Sequence, residues 1–302
     1  MKMQEKICAI ILTKNEEIHL NRILNQIVRL VDHVLVVDSG SDDETISIAK
    51  KYKCEIIKKK WINYSTQFNY GIKHVKTRYD WVLRIDADEY FQNFNLSSEV
   101  IHKIKFGYYH EINGLSLNRK IKFLGNSINY GGLFPIEVIR LFRVNNGLCE
   151  DRWMDEHIIV DGKIVHENIV LIDDNKKGFE FWLKKHIGYA KREAVDMLFI
   201  EYGFTSENKT LRNSLEANKK RKIKEKLYYK LPLFIRPILY FIHRYIINLG
   251  FIDGKKGFIY HFLHALWYRL IVDIFIYRVK LEIKKNGGNI IIAIKEVLHI
   301  DA

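Results

Sequence analysis

The amino-acid sequence predicts an α/β fold built on an open parallel sheet. Short apolar runs alternate with helical patterns in the first part of the chain, and two of these runs end in aspartate. Apolar runs without polar alternation are typical of strands that are buried on both faces, as in parallel sheets. Ligands of such sheets bind beyond the carboxyl ends of the strands. The two aspartates therefore indicate the edge at which a functional site is expected.

The first half of the chain supplies the elements of this sheet. The expected strands are the apolar runs at 7–12, 33–38, 54–57 and 81–86. Helical periodicity lies between them, from Glu16 to about Leu30, through Ile46 and Ala49, and around 64–75. This β-α-β order predicts parallel neighbours whose carboxyl ends share one edge.

In the second half of the chain the hydrophobic periodicity changes from strand-like to helical. Strand-like periodicity dominates from 112 to 172, where Asp161-Gly162 between two apolar runs predicts a β-hairpin. Helical character returns from about 179 to 201, and residues 231–282 are dense in Phe, Ile, Leu, Tyr and Trp. The predicted division is an α/β domain over 1–218 and a basic, aromatic helical region over 219–302.

The formal net charge of +13 calls for an anionic partner, and the candidates are nucleic acid, an anionic membrane and a phosphorylated substrate. Residues 219–230 carry seven Lys or Arg against a single Glu, and an apolar, aromatic segment follows directly. Nucleic-acid binders more often interleave basic and stacking aromatic residues along a folded face. The pattern favours an anionic membrane surface and not nucleic acid, with a solvated basic helix as the alternative.

Charged residues interrupt the apolar windows within 231–282, among them Arg244, Arg269 and Asp273. A spanning helix needs roughly 20 mostly apolar residues, so amphipathic helices in the membrane interface are the stronger prediction. The alternative is an ordinary helical subdomain packed on the sheet.

The cysteines and the N-terminus predict the compartment. The three cysteines are odd in number and far apart, which argues against a disulfide framework. The N-terminal residues contain no long apolar stretch followed by small residues, so a secretory signal is not expected. We therefore expect a cytoplasmic protein that is peripheral at the inner face of the cytoplasmic membrane.

Carboxylates follow the strand ends in three places: Asp38, the pair Asp86 and Asp88, and the acids between 150 and 156. In a sheet of this topology they converge on one crevice. Two acids separated by one residue can place oxygens on the same cation, and such hard ligands suit Mg²⁺ or Mn²⁺. An isolated Asp-x-Asp is usually a solvated turn, but the buried-strand sequence WVLRI before this pair predicts a rigidly held metal site.

Five ordered motifs over about residues 6–200 carry a family resemblance: ILTKNEE, VLVVDSGSDDET, WVLRIDADEY, YGGLFPIEVIRLFR and WMDEH. Together they resemble the family 2 glycosyltransferases, and more narrowly the lipopolysaccharide core and exopolysaccharide glucosyltransferase-like branch. The resemblance implies a GT-A Rossmann-like mixed sheet flanked by helices, followed by a C-terminal amphipathic helical region. It also implies an inverting, metal-dependent hexosyltransferase. The donor would be a nucleoside-diphosphate sugar, with UDP expected, and the acceptor a lipopolysaccharide-core or lipid-linked surface-polysaccharide glycan or glycolipid.

The resemblance also assigns roles to residues. Those expected beside the nucleotide and sugar of the donor are Thr13, Asn15, Glu16, Asp38, Asp42, Arg84 and Asp86. Asp38 would accept a hydrogen bond from the base, whereas Asp86 would face the ribose or sugar. Asp88 would ligate the metal directly, with Asp86 beside it. Asn15 and Asp42 could instead cap their helices, and Arg84 departs from the small or polar residue typical of the family.

An inverting transfer also needs a general base for the acceptor hydroxyl. The candidates lie in EDRWMDEH: Asp155 is favoured, Glu156 is next to it, and Asp151 belongs to a Glu-Asp pair that resembles one found in many relatives. Of Arg140 and Arg143 in the RLFR motif, only one is expected to face the crevice.

Two other interpretations stay open. A sugar nucleotidyltransferase also uses an α/β sheet and paired acids, but the Gly-rich basic loop that it needs after the first strand is replaced here by LTKNEE. A basic membrane- or nucleic-acid-binding module without catalysis would account for the charge. It would not account for three groups of acids at strand ends.

Overall fold

The computed structural model describes residues 4–151, 156–204 and 228–300, which divide into two compact units. The first unit runs through Ile128 and includes Leu133–Asp151 and Glu156–Lys177. The second unit holds Asn129–Gly132 and the chain from Gly178 onward. The predicted boundary at 218/219 falls outside the described residues and stays a prediction.

The first unit contains all the described strands and four helices. Its strands are β1 (Ile7–Thr13), β2 (His33–Asp38), β3 (Glu55–Lys58), β4 (Trp81–Arg84), β5 (Glu89–Phe91), β6 (Gly114–Phe123), β7 (Asn126–Ile128), β8 (Ile136–Arg143), β9 (Gly147–Cys149), β10 (Ile158–Val160) and β11 (Ile164–Asp173). Its helices are α1 (Glu17–Ile27), α2 (Thr45–Lys51), α3 (Tyr64–Val75) and α4 (Phe94–Lys105).

Nine of these strands form one mixed sheet in the order β3-β2-β1-β4-β8-β6-β11-β5, with β7 paired to β6. The strands β3, β2, β1 and β4 run parallel. β8 is antiparallel to both β4 and β6, and β11 is parallel to β6. The fold class predicted from the sequence is therefore confirmed: the chain has a GT-A Rossmann-like mixed sheet with flanking helices.

Strand β1 shows why its sequence is apolar without alternation. Ile7, Ala9 and Ile11 belong to one hydrophobic cluster, whereas Cys8 and Ile10 belong to another. Successive side chains of a strand point to opposite faces of the sheet. Both faces of β1 are therefore buried, as expected for a central parallel strand.

The predicted hairpin at Asp161-Gly162 is wrong. β10 pairs with β9, whereas β11 pairs with β6 and β5. Gly162 has a φ of +116°, and a Cβ at this position would lie 2.1 Å from Nδ2 of Asn113. The turn signal was correct, but the turn passes the chain from a two-stranded sheet to the large one. β11 pairs with β6 along most of its length, and no local sequence pattern predicts this pairing.

From Gly178 onward the described residues of the second unit are mainly helical, as predicted for the C-terminal region. Its helices are α5 (Phe179–Glu201), α6 (Ile235–Ile242), α7 (Gly254–His261), α8 (Tyr268–Lys285) and α9 (Ile290–Leu298). π-helical turns at His243–Ile247 and Phe262–Trp267 continue α6 and α7, and a 3₁₀ turn at Gly250–Asp253 precedes α7. Buried aliphatic residues of α5, α8 and α9 form the core of this unit.

Charged residues lie inside this core as pairs. Nε of Arg236 donates to Oδ1 of Asp273 at 2.8 Å, and Arg269 is paired with Glu193. By length and composition, Gly250–Lys285 is the one described helical segment that could cross a membrane. In its most apolar window 44% of the residues are buried inside the structure, and core helices of soluble proteins pass the same criterion.

Candidate active site

The carboxyl ends of β1, β2 and β4 lie at one edge of the sheet. Thr13 pairs with Asp38 across β1 and β2, and Ile10 pairs with Arg84 across β1 and β4. The loops that leave these strands therefore start side by side. This arrangement brings together acids that lie far apart in the sequence, at the edge where ligands of such sheets bind.

Asp38 is fully buried and organises the loop that follows β2. Its Oδ1 accepts hydrogen bonds from the backbone N–H groups of Gly40 and Ser41, at 2.8 and 2.9 Å. Its Oδ2 accepts from the hydroxyls of Thr13 and Ser41, at 2.9 and 2.5 Å. Burial would raise the pKa of Asp38, but these hydrogen bonds outweigh burial and lower the pKa. Asp38 is therefore held as a carboxylate, and it would have to share one of these bonds to accept another from a base.

Asn15 and Asp42 join the loops that follow β1 and β2. The backbone N–H of Asn15 donates to Oγ of Ser41 at 2.9 Å, and Oδ1 of Asn15 accepts from the N–H of Asp42 at 3.1 Å. Asn15 has a φ of +56°, a left-handed conformation that Asn tolerates better than most residues. The N-caps of α1 and α2 are Glu16 and Glu44. Neither Asn15 nor Asp42 is therefore a helix cap in this structure.

The Asp-Ala-Asp turn has a buried side and an open side. Ile85, Ala87 and Glu89 are buried, whereas Asp86 and Asp88 are partly exposed. The three buried residues anchor the turn in the sheet. The two aspartates are consequently held in place while both remain accessible from the carboxyl edge.

Asp86 is held from several sides. The Tyr64 hydroxyl donates to its Oδ1 at 2.7 Å, and Nη2 of Arg140 lies 3.7 Å from its Oδ2. The backbone N–H of Asp86 donates to Oε2 of Glu89 at 3.0 Å. Its side chain remains 31% exposed. Asp86 therefore combines a fixed orientation with access to a ligand.

Arg140 and Glu89 form a buried ion pair under this turn, with side chains only 3% and 1% exposed. Burial raises the pKa of Glu89, against the lowering influence of the Arg140 guanidinium. Arg143 on the same strand lies elsewhere, where its Nη2 donates to Oε1 of Glu5 at 3.0 Å. Of the two arginines in RLFR, Arg140 is therefore the one beside the acids.

Arg140→Met should lower the free energy of unfolding by about 3–5 kcal/mol, because it leaves the Glu89 carboxylate buried without a counter-charge. Urea denaturation of the whole chain, followed by circular dichroism, measures the change. Arg143→Met is the matched control on the same strand. It loses a partly exposed ion pair with Glu5 and hydrogen bonds to the backbone oxygens of Ile112 and Tyr109, so it should cost about 1–2 kcal/mol. Equal losses for the two variants would show that the buried pair does not hold the turn.

Arg84 contacts the same tyrosine that holds Asp86. Its guanidinium carbon lies 4.4 Å from the centroid of the Tyr64 ring and 5.8 Å from that of Phe68. Burial would lower the pKa of Arg84, but the neighbouring Tyr64 and Asp86 raise it. Arg84 is therefore a fixed positive charge beneath the acids. Its contact with donor sugar or diphosphate stays a prediction.

Asp88 lies against the loop that follows β11. Nδ2 of Asn175 donates to Oδ2 of Asp88 at 2.9 Å. The backbone oxygen of Asp88 accepts from Nη2 of Arg22 at 2.7 Å and from the N–H of Asp174 at 3.1 Å. Within the described residues, Oδ1 of Asp88 accepts no hydrogen bond. One oxygen of Asp88 is therefore oriented by the protein, and the other is available to a ligand.

Glu16 connects the loop after β1 to the loop after β11. Its Oε1 accepts from Nζ of Lys177 at 2.5 Å, and its Oε2 lies 2.7 Å from Nδ1 of the buried His19. Nε2 of His19 accepts from the N–H of Lys176 at 2.8 Å. This bond assigns the ring proton to Nδ1, which donates it to Glu16. Lys177 is thereby placed beside the β1 loop.

The candidate bases are described only in part. The Asp151 side chain accepts hydrogen bonds at its Oδ1 from the hydroxyl of Ser65 at 2.8 Å and from Nδ2 of Asn63 at 3.2 Å. These donors flank Tyr64, which holds Asp86, so Asp151 belongs to the same site. Glu156 is partly exposed. Asp155 lies outside the described residues.

The donor set fits a divalent cation bound partly by substrate. No group of three or more His, Cys, Asp or Glu side chains in the described ranges could hold a metal by itself. Mg²⁺ is typically bound by one or two carboxylates together with substrate phosphates and water. Asp88, with one oriented and one available oxygen, matches this pattern, and Asp86 is its neighbour.

Several residues of this site were not singled out from the sequence. They are Arg22, Tyr64, Glu89, Asn175 and Lys177. Glu89 directly follows the Asp-Ala-Asp and could have been found from that position. The others come from α1, α3 and the loop after β11, and their contacts depend on tertiary structure.

Comparison with known proteins matches about the first third of the chain, which carries Asp38, Asp86 and Asp88. Residues 8–107 match the family described as "Glycosyl transferase family 2". An uncharacterized glycosyltransferase of Rickettsia conorii is 38% identical over 104 residues, which are 34% of each chain. One of Rickettsia felis is 39% identical over 102 residues, again 34% of each chain. The matched segment thus spans about a third of the length of these relatives.

Solved structures of low sequence identity also resemble the chain. S. aureus TarS (residues 1–349) has a TM-score of 0.41 at 16% identity and covers 93% of this chain and 92% of its own. Mannosyl-3-phosphoglycerate synthase from Rubrobacter xylanophilus has a TM-score of 0.44 at 14% identity and covers 70% of this chain and 80% of its own.

Proposed function

We propose that this chain, with its glycosyltransferase family 2 match over residues 8–107, moves a sugar from a nucleoside-diphosphate donor to a hydroxyl of a surface glycan or glycolipid. UDP is the proposed nucleotide, and the reaction inverts the anomeric carbon. The observation that carries the proposal is the different setting of two neighbouring carboxylates. Asp86 is held by Tyr64 and Arg140, whereas Asp88 keeps an available oxygen.

This difference suits two tasks on one donor. A carboxylate in a fixed orientation can accept hydrogen bonds from ribose or sugar hydroxyls, which is the role proposed for Asp86. A carboxylate with one oxygen that accepts no hydrogen bond within the described residues can bind a cation, which is the role proposed for Asp88. Bound Mg²⁺ or Mn²⁺ would act as a Lewis acid on the diphosphate leaving group.

Cations of the chain surround the same edge and would contribute to diphosphate binding. Nζ of Lys177 lies near Glu16, and Nζ of Lys14 donates to the carbonyl of Gly40. Both lysines belong to the loops that meet at the carboxyl edge. Each could exchange its protein partner for a phosphate oxygen at low cost, because one charge-assisted contact replaces another.

The base of the nucleotide is proposed to lie over the loops that follow β1 and β2. Buried Thr13 and Asp38 form a hydrogen-bonded group with the partly exposed Ser41, and this group fixes the β2 loop. Asn15 and Asp42 link this loop to the one after β1. A preorganised loop pair of this kind binds a flat ligand without a large ordering cost.

The acceptor class follows from the motif resemblance described above, which points to lipopolysaccharide-core or lipid-linked surface polysaccharides. Such acceptors are embedded in a membrane, so the reaction would occur at the inner face of the cytoplasmic membrane.

A panel of sugar nucleotides, read by thermal shift of the whole chain with Mn²⁺, tests the proposal. One UDP-sugar should stabilise the fold by about 2.7 kcal/mol when present at about 100 times its Kd. The same sugar linked to a different nucleotide is the matched control, and a chelator should remove the shift. If no sugar nucleotide stabilises the chain with metal, the proposed activity is wrong.

A further inference from the structure

The helical stretch formed by α6 and the π-helical turn after it carries its apolar residues on the outside. Ile235, Ile238, Leu239, Ile242 and Ile246 are 51%, 50%, 45%, 41% and 52% exposed. Their spacing of three or four residues places them on one helical face. An amphipathic helix of a soluble protein packs its apolar face against the core. Here the apolar face points outward instead.

The opposite side of the same stretch carries buried cations. Arg236 and Arg244 are only 2% and 6% exposed. Arg236 is paired with Asp273, and Nε of Arg244 donates to the carbonyl oxygen of Gly131 at 2.8 Å. Charges on the inside and aliphatic side chains on the outside are the distribution expected of protein in contact with hydrocarbon.

The exposed apolar surface continues beyond this stretch. The ring centroid of Tyr245 lies 5.5 Å from that of Phe258 and 6.3 Å from that of Phe251. These rings connect the aliphatic face to further exposed apolar residues. We call the whole surface the apolar face; its members are Ile235, Ile238, Leu239, Ile242, Ile246, Ile247, Leu249, Phe251, Ile252, Phe258, Ile259 and Phe262.

The charge at the margin of the apolar face is positive. Lys255 and Lys256 on α7 are exposed. Asp253 is the single acid between residues 231 and 262, and its Oδ2 accepts from the backbone N–H groups of Asn129 and Tyr130. In the sequence, the seven basic residues of 219–230 come directly before this segment. An occupant with negative charge and an apolar interior complements such a surface.

We propose that the apolar face lies in the headgroup region of an anionic bilayer, with Lys255 and Lys256 against its phosphates. A cluster of exposed apolar side chains on a soluble protein usually marks a partner or a membrane. A two-fold contact between copies would bring two cationic margins into one interface, where they repel. An anionic bilayer satisfies both the apolar centre and the basic margin. The proposal deepens the proposed function by naming the surface that contacts the membrane, and it does not depend on sugar transfer.

Flotation of the whole chain with lipid vesicles tests this surface. The protein should float with vesicles of phosphatidylcholine and phosphatidylglycerol, and much less with phosphatidylcholine alone. The combined variant Ile238→Ser, Ile242→Ser, Ile246→Ser should weaken binding by at least about tenfold, because it removes apolar contact area. The matched control is Ile18→Ser, Ile62→Ser, Leu148→Ser, three residues of similar exposure in the first unit. It should bind like the unaltered chain.

A second variant keeps the test independent of folding defects in the first. Lys255→Ser with Lys256→Ser should weaken binding to the anionic vesicles and leave the weak binding to phosphatidylcholine unchanged. Undiminished vesicle binding by the isoleucine variant would overturn the proposal. So would conversion of a dimer to a monomer in light scattering without loss of vesicle binding, which would assign the face to a second copy. Because flotation uses no sugar nucleotide, its failure leaves the proposed transfer reaction untouched.

Discussion

Asp88→Asn is expected to abolish the metal-dependent part of donor binding. The asparagine keeps the size of the side chain and can still contact Asn175, but it lacks the negative charge that attracts Mg²⁺ or Mn²⁺. Loss of a residue that only orients a metal ligand typically costs about 10–100-fold in affinity. A direct ligand should cost at least the upper end of that range, so we expect UDP affinity in Mn²⁺ to fall by about 100-fold or more.

Calorimetric titration with UDP, in Mn²⁺ and in chelator, separates this effect from simple damage to the site. The Asp88→Asn protein should bind UDP equally weakly in both conditions. Asn175→Ala removes the donor to Oδ2 of Asp88 and should give an intermediate loss. Asp161→Asn, at an exposed carboxylate beyond β10, is the matched control and should bind normally. If Asp88→Asn binds UDP with unchanged Mn²⁺-dependent affinity, the proposed metal site is wrong.

The sheet could be predicted because each of its central strands has a recognisable local sequence pattern. ICAIIL, HVLVVD and WVLRID are buried on both faces, and burial of this kind leaves an unbroken apolar run in the sequence. Turn residues also give local signals, but they do not show which strand the next strand pairs with. The Asp161-Gly162 turn was found, whereas the pairing of β11 with β6 across about 50 residues was not.

The site could be predicted to the extent that its residues lie at strand ends. Asp38, Asp86 and Asp88 follow predicted strands, and parallel topology brings such ends together. Tyr64 and Asn175 were missed because each reaches the acids from another element, and the sequence does not show which strand end the start of α3 or the loop after β11 lies against. The burial of Arg140 beside Glu89 was equally hidden, since RLFR offers two arginines with the same spacing signal.

Asp151→Asn is expected to lower the rate of transfer by about 10²–10⁴-fold while leaving donor affinity unchanged, the signature of a lost general base. Three acids of EDRWMDEH compete for this role. The motif favours Asp155, but Asp151 is the one whose described contacts, with Asn63 and Ser65, attach it to the α3 end that holds Asp86. A base must be held rigidly near the reacting centre to act. We therefore expect Asp151→Asn to be the inactive variant.

Asp155→Asn and Glu156→Gln make the test decisive when all three proteins are compared. Donor affinity is measured by titration with UDP and Mn²⁺, and transfer by incorporation of labelled sugar into the glycolipids of a membrane extract. A base variant should bind the donor normally and fail to transfer, because its carboxylate acts on the acceptor hydroxyl and not on the nucleotide. If Asp155→Asn shows this combination and Asp151→Asn does not, Asp151 only positions the end of α3. The hydrogen bonds from Asn63 and Ser65 would then serve the orientation of Tyr64 and, through it, of Asp86.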